Sequence, residues 1–508
     1  MSLARAHTVT LTGVAGQIVD IEVDAASGIP GLTLVGLADT AVRESRDRVR
    51  AAIVNVGESW PSRKITVNLS PAWVRKRGSG FDLALACACL AAFDGIPDRA
   101  LADVVLIGEL GLDGAVRPVR GALPMVIAGV EQGWTRFIVA DGCGPEAAMV
   151  PGADVTVVAN LAEAVGVLRG TAPPRAAVHV ERGAELPGPD LADVSGQATP
   201  RLAVEVAAAG AHHLFLYGAP GAGKTLLAQR LPGLLPPLDA EASMEVTAVH
   251  SVAGTLSPQR PMVLRPPFQA PHHTASAPAL IGGGAGVARP GAASLAHRGV
   301  LFLDEAPEFS ARSLETLRQP METGSVVLAR SESQVRYPAR FLLVMAANPC
   351  PCGRSTGRGL DCTCTPQQKM RYSARLSGPL MDRVDLQIPV LPVARADLLD
   401  GRGGESSAAV RERVQAARAR ATSRFRGTGW QVNSELPGRD LRTTFAVRED
   451  GLAVVSDEIS RGRLSARGVD RVLRVSWTLA DLAGVERPGA AEVAGAVSLR
   501  GGGLPWAA

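Results

Sequence analysis

The run Gly218-Ala219-Pro220-Gly221-Ala222-Gly223-Lys224-Thr225 fits G-x-x-x-x-G-K-[ST] in full. An apolar LFLY precedes it and a helix-like LLAQRL follows. Strand, glycine loop and helix in that order constrain the middle of the chain to an α/β sheet with a phosphate site at a strand end. The glycines let backbone N–H groups turn inward around phosphate oxygens. Lys224 brings a point charge to the β/γ-phosphates, the Thr225 hydroxyl is a ligand for Mg²⁺, and the helix N-terminus adds its field. ATP and Mg²⁺ are the expected cofactors. A glycine-rich turn that binds nothing is the bland alternative.

Two more apolar runs end in polar residues. GVLFLDE delivers Asp304 to the Mg²⁺ position and Glu305 as a base for the attacking water. FLLVMAAN delivers Asn348, to hold that water or sense the γ-phosphate. An unpartnered acidic strand end, and a turn asparagine, are the plain readings. Arginines that stabilise transition-state charge come from RLSGPLMDRVDL, with Arg375 and Arg383, and from LSARGVDRVLR, with Arg467 and Arg471. Either of the last two is placed to reach back over the same nucleotide; surface residues are the alternative.

Around this site the 508 residues divide into about three domains. Residues 1–168 alternate short β-like runs (VTLTGVAG, QIVDIEVD, LTLVGL, KITVNL, VVLIGEL, RFIVA, VTVVAN) with helices near 40–56, 82–93 and 121–132. Residues 169–194 read as a linker and 195–395 as the nucleotide-binding core. Residues 396–500 read as mostly helical, opening on a basic helix in 401–426, with a frayed end beyond.

Seven cysteines, an odd count, argue against a disulfide framework. The N-terminus lacks a long apolar h-region, and the most apolar stretch, Leu83 to Phe93, is too short to span a bilayer. A cytoplasmic location and no membrane partner are expected. The net charge of +4 permits nucleic-acid contact without arguing for it. Local basic clusters are Arg75, Lys76 and Arg77, and the seven arginines of 401–426; each reads as a DNA contact or a solvated face.

Cys350-x-Cys352 and Cys362-x-Cys364 place four thiols in fifteen positions. Four sulfurs suit a structural Zn²⁺, although C-x-C is tighter than the usual spacing. Four reduced, unliganded cysteines are the alternative. His272 and His273 read as a satisfied or pore-facing pair rather than metal ligands.

These motifs in this order resemble the AAA+ ATPases. LSGPLMDRVDL, LSARGVDRVLRVSWTLADL, FQAPHHTASAPALIGGG and MAANPCPCG resemble the magnesium-chelatase-like group, and within it the YifB/ComM branch. GLTLVGLADTAVRESRDRVRAAIVN and ITVNLSPAWVRKRGSGFDLALA are also similar to that branch. The resemblance implies an α/β fold: an AAA+ P-loop core, an N-terminal ribosomal-S5-like (Lon-protease-like) α+β domain and a C-terminal helical lid. It implies a homo-hexameric ring and, for ComM-type members, an ATP-driven DNA helicase that promotes branch migration on single-stranded or branched DNA without sequence preference. Arg383 then matches the arginine finger acting on a neighbour, Arg467 sensor 2, and Asn348 sensor 1. Residues 268–297 match an insert and 321–341 a β-hairpin, with Arg330 and Arg336 as phosphate contacts. Where the family usually has PGEISLAH, this chain has PGAASLAH, so Ala292 replaces an acid, from which altered fine function is expected.

Likeness of the N-terminal domain to Lon raises a Ser–Lys peptidase. Ser79 stands near the serine place, but Met125 occupies the lysine place, and a thioether takes no proton. Three classes stay open: a DNA translocase, a chelatase motor subunit, and a protein remodeller.

Overall fold

The computed structural model describes residues 2–501 except 77, 179–187, 285–287, 331–332, 356–360 and 394–403. The expected frayed end, 502–508, lies outside the described residues.

The N-terminal unit is built on a seven-stranded sheet. Its order is Gly31–Val35, Lys64–Ser70, Ala15–Ala26, Ser2–Thr12, Val104–Ile107, Arg136–Ala140 and Asp154–Val158. Ser2–Thr12 and Ala15–Ala26 form one long hairpin, with Val9 opposite Ile18. Alternate residues Val19, Ile21 and Val23 are buried, as a one-sided sheet requires. The helix Asp82–Ala92 is buried along its whole length, which explains why its sequence is apolar on every face. Residues expected to begin the linker instead extend this sheet. The Val157 N–H donates to the Arg175 carbonyl (2.8 Å) and the Ala177 N–H to Val155 (3.0 Å).

The middle unit is a five-stranded sheet, ordered Phe268–Gln269, Val300–Leu303, Leu342–Ala347, Leu214–Tyr217 and Leu386–Pro389. Every pairing is parallel. A parallel sheet needs apolar cover on both faces. One face packs with Leu227, Leu231 and helices of the C-terminal unit, the other with Phe309, Leu314 and Leu317. All strands therefore point the same way, and the residues that follow the three middle ones emerge at a common edge.

The C-terminal unit is helical: Ser407–Arg424, Glu449–Ser460, Ala466–Ala483 and Ala490–Arg500. Val410, Val414, Val472 and Leu473 join the same apolar cluster as the sheet strands Leu214–Tyr217 and Leu386–Pro389. The Trp477 indole N–H donates to the Phe445 carbonyl (2.8 Å). No helix among the described residues is long and apolar enough to cross a membrane.

Two basic clusters behave differently from expectation. Lys76 is fully buried, its ammonium capped by the Pro71 carbonyl, so it faces no solvent. Burial also lowers its pKa. In the helix Ser407–Arg424, Arg411 donates to the Gly233 carbonyl (2.6 Å) and Arg418 to Ala208 (2.7 Å). Arg413 pairs with Glu205 (2.7 Å), and Arg424 with Asp481 (2.6 Å). These arginines fasten the helix to the core instead of presenting a basic face. Arg77 and Arg402 lie outside the described residues.

Candidate functional site

The P-loop strand, Leu214–Tyr217, turns into helix Lys224–Leu234 through the glycine loop. Gly221 (φ +75°) and Gly223 (φ +97°) take the left-handed region that side chains disfavour, which aims the loop's N–H groups inward. Lys224 Nζ donates to the Gly218 carbonyl (2.8 Å), the Ala219 carbonyl (2.9 Å) and Asn348 Oδ1 (3.1 Å). Burial lowers its pKa, opposed by the charges of Asp304 and Glu305. The Thr225 hydroxyl donates to Asp304 Oδ2 (2.7 Å). Five sequence-selected residues, Lys224, Thr225, Asp304, Glu305 and Asn348, thus meet at one sheet edge. Hydroxyl and carboxylate side by side are hard oxygen donors of the kind Mg²⁺ takes.

Glu305 has φ +50°, unusual for a residue with a side chain, and sits half exposed. Its Oε2 lies 3.4 Å from His273 Nδ1. Gln197, at φ +56°, also underlies the loop, donating to the Ala222 (3.1 Å) and Leu391 (2.5 Å) carbonyls. Sequence reading named Glu305 and His273 but not their approach to each other, and it passed over Gln197. The SGQ turn before helix Ala198–Gly210 was the available signal for Gln197.

The arginines go elsewhere. Arg383 pairs with Glu322 and donates to the Pro379 carbonyl (2.5 Å). Its buried Nε has no hydrogen-bond partner among the described residues. Arg467 approaches Asp382 (3.3 Å) and is largely exposed. Arg471 pairs with buried Asp385 (2.9 Å). Burial opposes ionisation of Asp385, but the charges of Arg471 and His212 hold its carboxyl well below the usual range. Arg383, Arg467 and Arg471 line one cavity of about 800 Å³, and none of Gly218–Thr225 lines it. Arg467 and Arg471 therefore share a cavity with Arg383, away from the residues of the P-loop itself. Arg375 stays near the acid strand, donating to the Pro307 carbonyl (2.9 Å) and Glu308 (3.0 Å).

The four cysteines converge. All four Sγ atoms lie within 4.8 Å of one another. Cys350–Cys352 is 3.4 Å, and Cys350–Cys362 and Cys352–Cys362 are 3.7 Å. A tetrahedron with Zn–S near 2.3 Å has S···S edges of about 3.8 Å. The donor set fits zinc. Burial pushes the Cys350 thiol up to about 12, while the Arg354 backbone N–H holds Cys352 down to about 5. Gly353 packs so close to the P-loop that a β-carbon there would lie 2.5 Å from Pro220 Cγ.

The β-hairpin runs Ser325–Arg330 and Ser333–Pro338. Arg336 is exposed on it; the Arg330 side chain lies outside the described residues. The Tyr337 hydroxyl donates to the Ala288 carbonyl (2.6 Å), joining hairpin to insert. Ala292 is buried at the start of the short helix Ala292–Leu295. In the N-terminal unit, the Ser79 hydroxyl donates to Glu109, and Met125 is buried.

Comparisons agree with this arrangement. The model described as magnesium chelatase, subunit ChlI, matches residues 190–398; its companions for that subunit and its C-terminal part match 21–142 and 404–500. An uncharacterised protein of Mycobacterium tuberculosis is 51% identical over 500 residues, covering 98% of this chain and 99% of its own. Escherichia coli YifB is 40% identical over 487 residues (95% and 94%). The competence protein ComM of Haemophilus influenzae is 38% identical over 493 residues (96% and 95%). With its α/β P-loop core and helical C-terminal unit, the chain belongs to the ChlI/magnesium-chelatase-like AAA+ family and matches its YifB/ComM-type members.

Proposed function

We propose that this chain is one subunit of a hexameric, ATP-driven DNA motor of helicase or branch-migration type, working in the cytoplasm in recombination or natural transformation. ATP hydrolysis rests on the convergence of Lys224, Thr225, Asp304, Glu305 and Asn348 at one sheet edge. The P-loop N–H groups and Lys224 hold the β/γ-phosphates. Thr225 and Asp304 would hold Mg²⁺, which when bound would supply charge neutralisation to the transferred phosphoryl group. Glu305 takes the proton of the attacking water, and Asn348 orients that water.

The separation of Arg383 and Arg467 from the P-loop supports a site shared between subunits. Both arginines act on a neighbour's γ-phosphate from the cavity they line together. The observation that carries the DNA reading is the full-length likeness to a competence protein, 38% identical. Exposed Arg336 on the hairpin supports it, as a contact to the phosphate backbone. The four cysteines would hold a structural Zn²⁺, in a turn after Asn348 that packs against Pro220 through Gly353. The N-terminal domain is S5-like, related in fold to the Lon proteolytic domain, and serves as scaffold or partner surface. Ser79 bonded to Glu109, with Met125 in the lysine place, supports no Ser–Lys dyad.

The test is migration of a labelled four-way junction by wild type, Lys224→Ala and Glu305→Gln. Activity in wild type alone is expected. Absence of DNA-stimulated ATPase at low salt would sink the DNA reading. A second reading, the motor subunit of a metal chelatase, draws on the family model and on 29% identity over 186 residues to the magnesium-chelatase 67 kDa subunit of Heliobacterium mobile. Stimulation by a tetrapyrrole-binding partner and not by DNA would favour it; stimulation by unfolded protein would favour a remodeller.

A further inference from the structure

Trp73 carries the one aromatic ring among the large exposed hydrophobic side chains of the described residues, and it is 80% exposed. Tryptophan is highly buried on average, so an indole left in solvent calls for a partner. Neither the nucleotide edge nor the arginine cavity uses it. The loop that presents it is held on both flanks. The Val74 N–H donates to the Pro71 carbonyl (3.2 Å), and the buried Lys76 ammonium donates to the same carbonyl. The Lys76 N–H donates to the Leu37 carbonyl (2.9 Å), and the Thr10 hydroxyl to the Arg75 carbonyl (3.3 Å). With its backbone fixed in this way, the loop loses little further freedom when something stacks on the indole.

Arg75 is exposed on the same loop, two residues on. An aromatic face beside a guanidinium suits a single nucleic-acid strand, because every base has a π-face and every phosphate a charge. The loop also lies in line with the hairpin Ser325–Pro338. Thr10 is three residues from Gly13, about 10 Å along a strand. Gly13 turns the chain between Ser2–Thr12 and Ala15–Ala26 at φ +70°, and a β-carbon there would lie 2.6 Å from the Arg336 carbonyl oxygen. Val14 packs against the buried cluster of Ala288, Val335 and Tyr337. Exposed Arg75 and exposed Arg336 therefore flank one projecting turn of the N-terminal sheet. The acids of that turn's strands point away. Asp20 and Glu22 sit opposite His7 and Arg5 and pair with them (2.8 and 2.6 Å), on the face that Thr10 does not share.

We propose that the loop of Trp73 and Arg75 is a further contact for single-stranded nucleic acid, extending the path of the strand from the hairpin onto the N-terminal domain. The indole stacks a base, and Arg75 meets a phosphate. The inference rests on the DNA reading. A protein partner is the competing occupant, since Leu37 beside the loop is half exposed; the guanidinium of Arg75 and the path to Arg336 favour the polyanion.

The experiment measures binding of full-length wild type, Trp73→Ala, Trp73→Phe and Arg75→Ala to a labelled oligo-dT and to an abasic strand of equal length, by fluorescence anisotropy at low salt. The two strands carry the same charge, and only the first offers bases to stack. Wild type should bind oligo-dT roughly fivefold or more tighter than the abasic strand. Trp73→Ala should lose most of that preference while its affinity for the abasic strand stays within twofold of wild type. Trp73→Phe keeps a ring and should retain the preference. Arg75→Ala should weaken both strands alike and reduce the salt slope of log K by about 0.7. An unchanged oligo-dT affinity in Trp73→Ala, or an equal loss on both strands, overturns the stacking role. Unchanged oligo-dT binding with a shift to smaller assemblies in size-exclusion chromatography assigns Trp73 to a protein contact and overturns it too. If wild type binds neither strand, the DNA reading fails and this inference with it. If wild type binds and Trp73→Ala binds as tightly, this inference alone fails.

Discussion

The P-loop edge and the arginine cavity are two halves of unlike composition. The edge gathers one ammonium, one hydroxyl, two acids and one amide, already bonded to one another: Thr225 to Asp304, and Lys224 to Asn348. The cavity gathers Arg383, Arg467 and Arg471 with Glu322, Asp382 and Asp385, and holds none of Gly218–Thr225. A phosphoryl-transfer site needs both phosphate-binding cations at the ground state and arginines at the transition state. One chain carries both but keeps them apart, which is the arrangement expected when a ring closes each site with a neighbour.

The comparison breaks first at the edge. Lys224→Ala should lower ATP turnover by roughly 1,000-fold or more, because phosphate charge loses its point cation; steady-state hydrolysis checks it. Arg383→Ala should cost roughly 100- to 1,000-fold in kcat while leaving nucleotide binding to the isolated chain within a few-fold. Equal losses of binding and turnover would place Arg383 at its own chain's nucleotide.

Arg471 sharpens the distinction between a catalytic and a structural arginine. Arg471→Ala leaves Asp385 buried with a diminished partner set, and should lower unfolding free energy by roughly 3 kcal/mol in a denaturant melt. The sign with pH follows from the lowered carboxyl pKa. The stabilisation is fully present above the ordinary aspartate value near 4 and is lost as pH falls through the folded value. Wild type should therefore lose stability on acidification more steeply than Arg471→Ala.

The smallest effect separates spent arginines from available ones. Arg336→Ala should weaken DNA binding and reduce the salt slope of log K by about 1. Arg424→Ala, which breaks the pair with Asp481, should lower the melting temperature and leave that slope unchanged.

The edge was legible in sequence because each strand is a short apolar run that ends in its functional residue. Val300–Leu303 runs into Asp304, and Leu342–Ala347 into Asn348. Local order and chemistry coincide there. The cavity was not legible, because its geometry depends on how the helix Ala466–Ala483 docks on residues about 85 positions earlier, such as Asp382 and Asp385. The same long-range pairing misled the reading of the helix Ser407–Arg424: its arginines find Glu205 and Ala208 about 210 residues away. Lys76 failed for a local reason, since the chain folds its own Pro71 carbonyl over the ammonium. The cysteine grouping was visible from spacing alone, but its contact with Pro220 was not.

The most direct measurement mixes Glu305→Gln subunits with Arg383→Ala subunits and follows ATPase across the mixing ratio. If each site is built from the edge of one chain and the cavity of the next, some interfaces in the mixture regain both wild-type halves, and activity rises above either variant alone. Activity that never exceeds the weighted sum of the two variants would contradict the shared site.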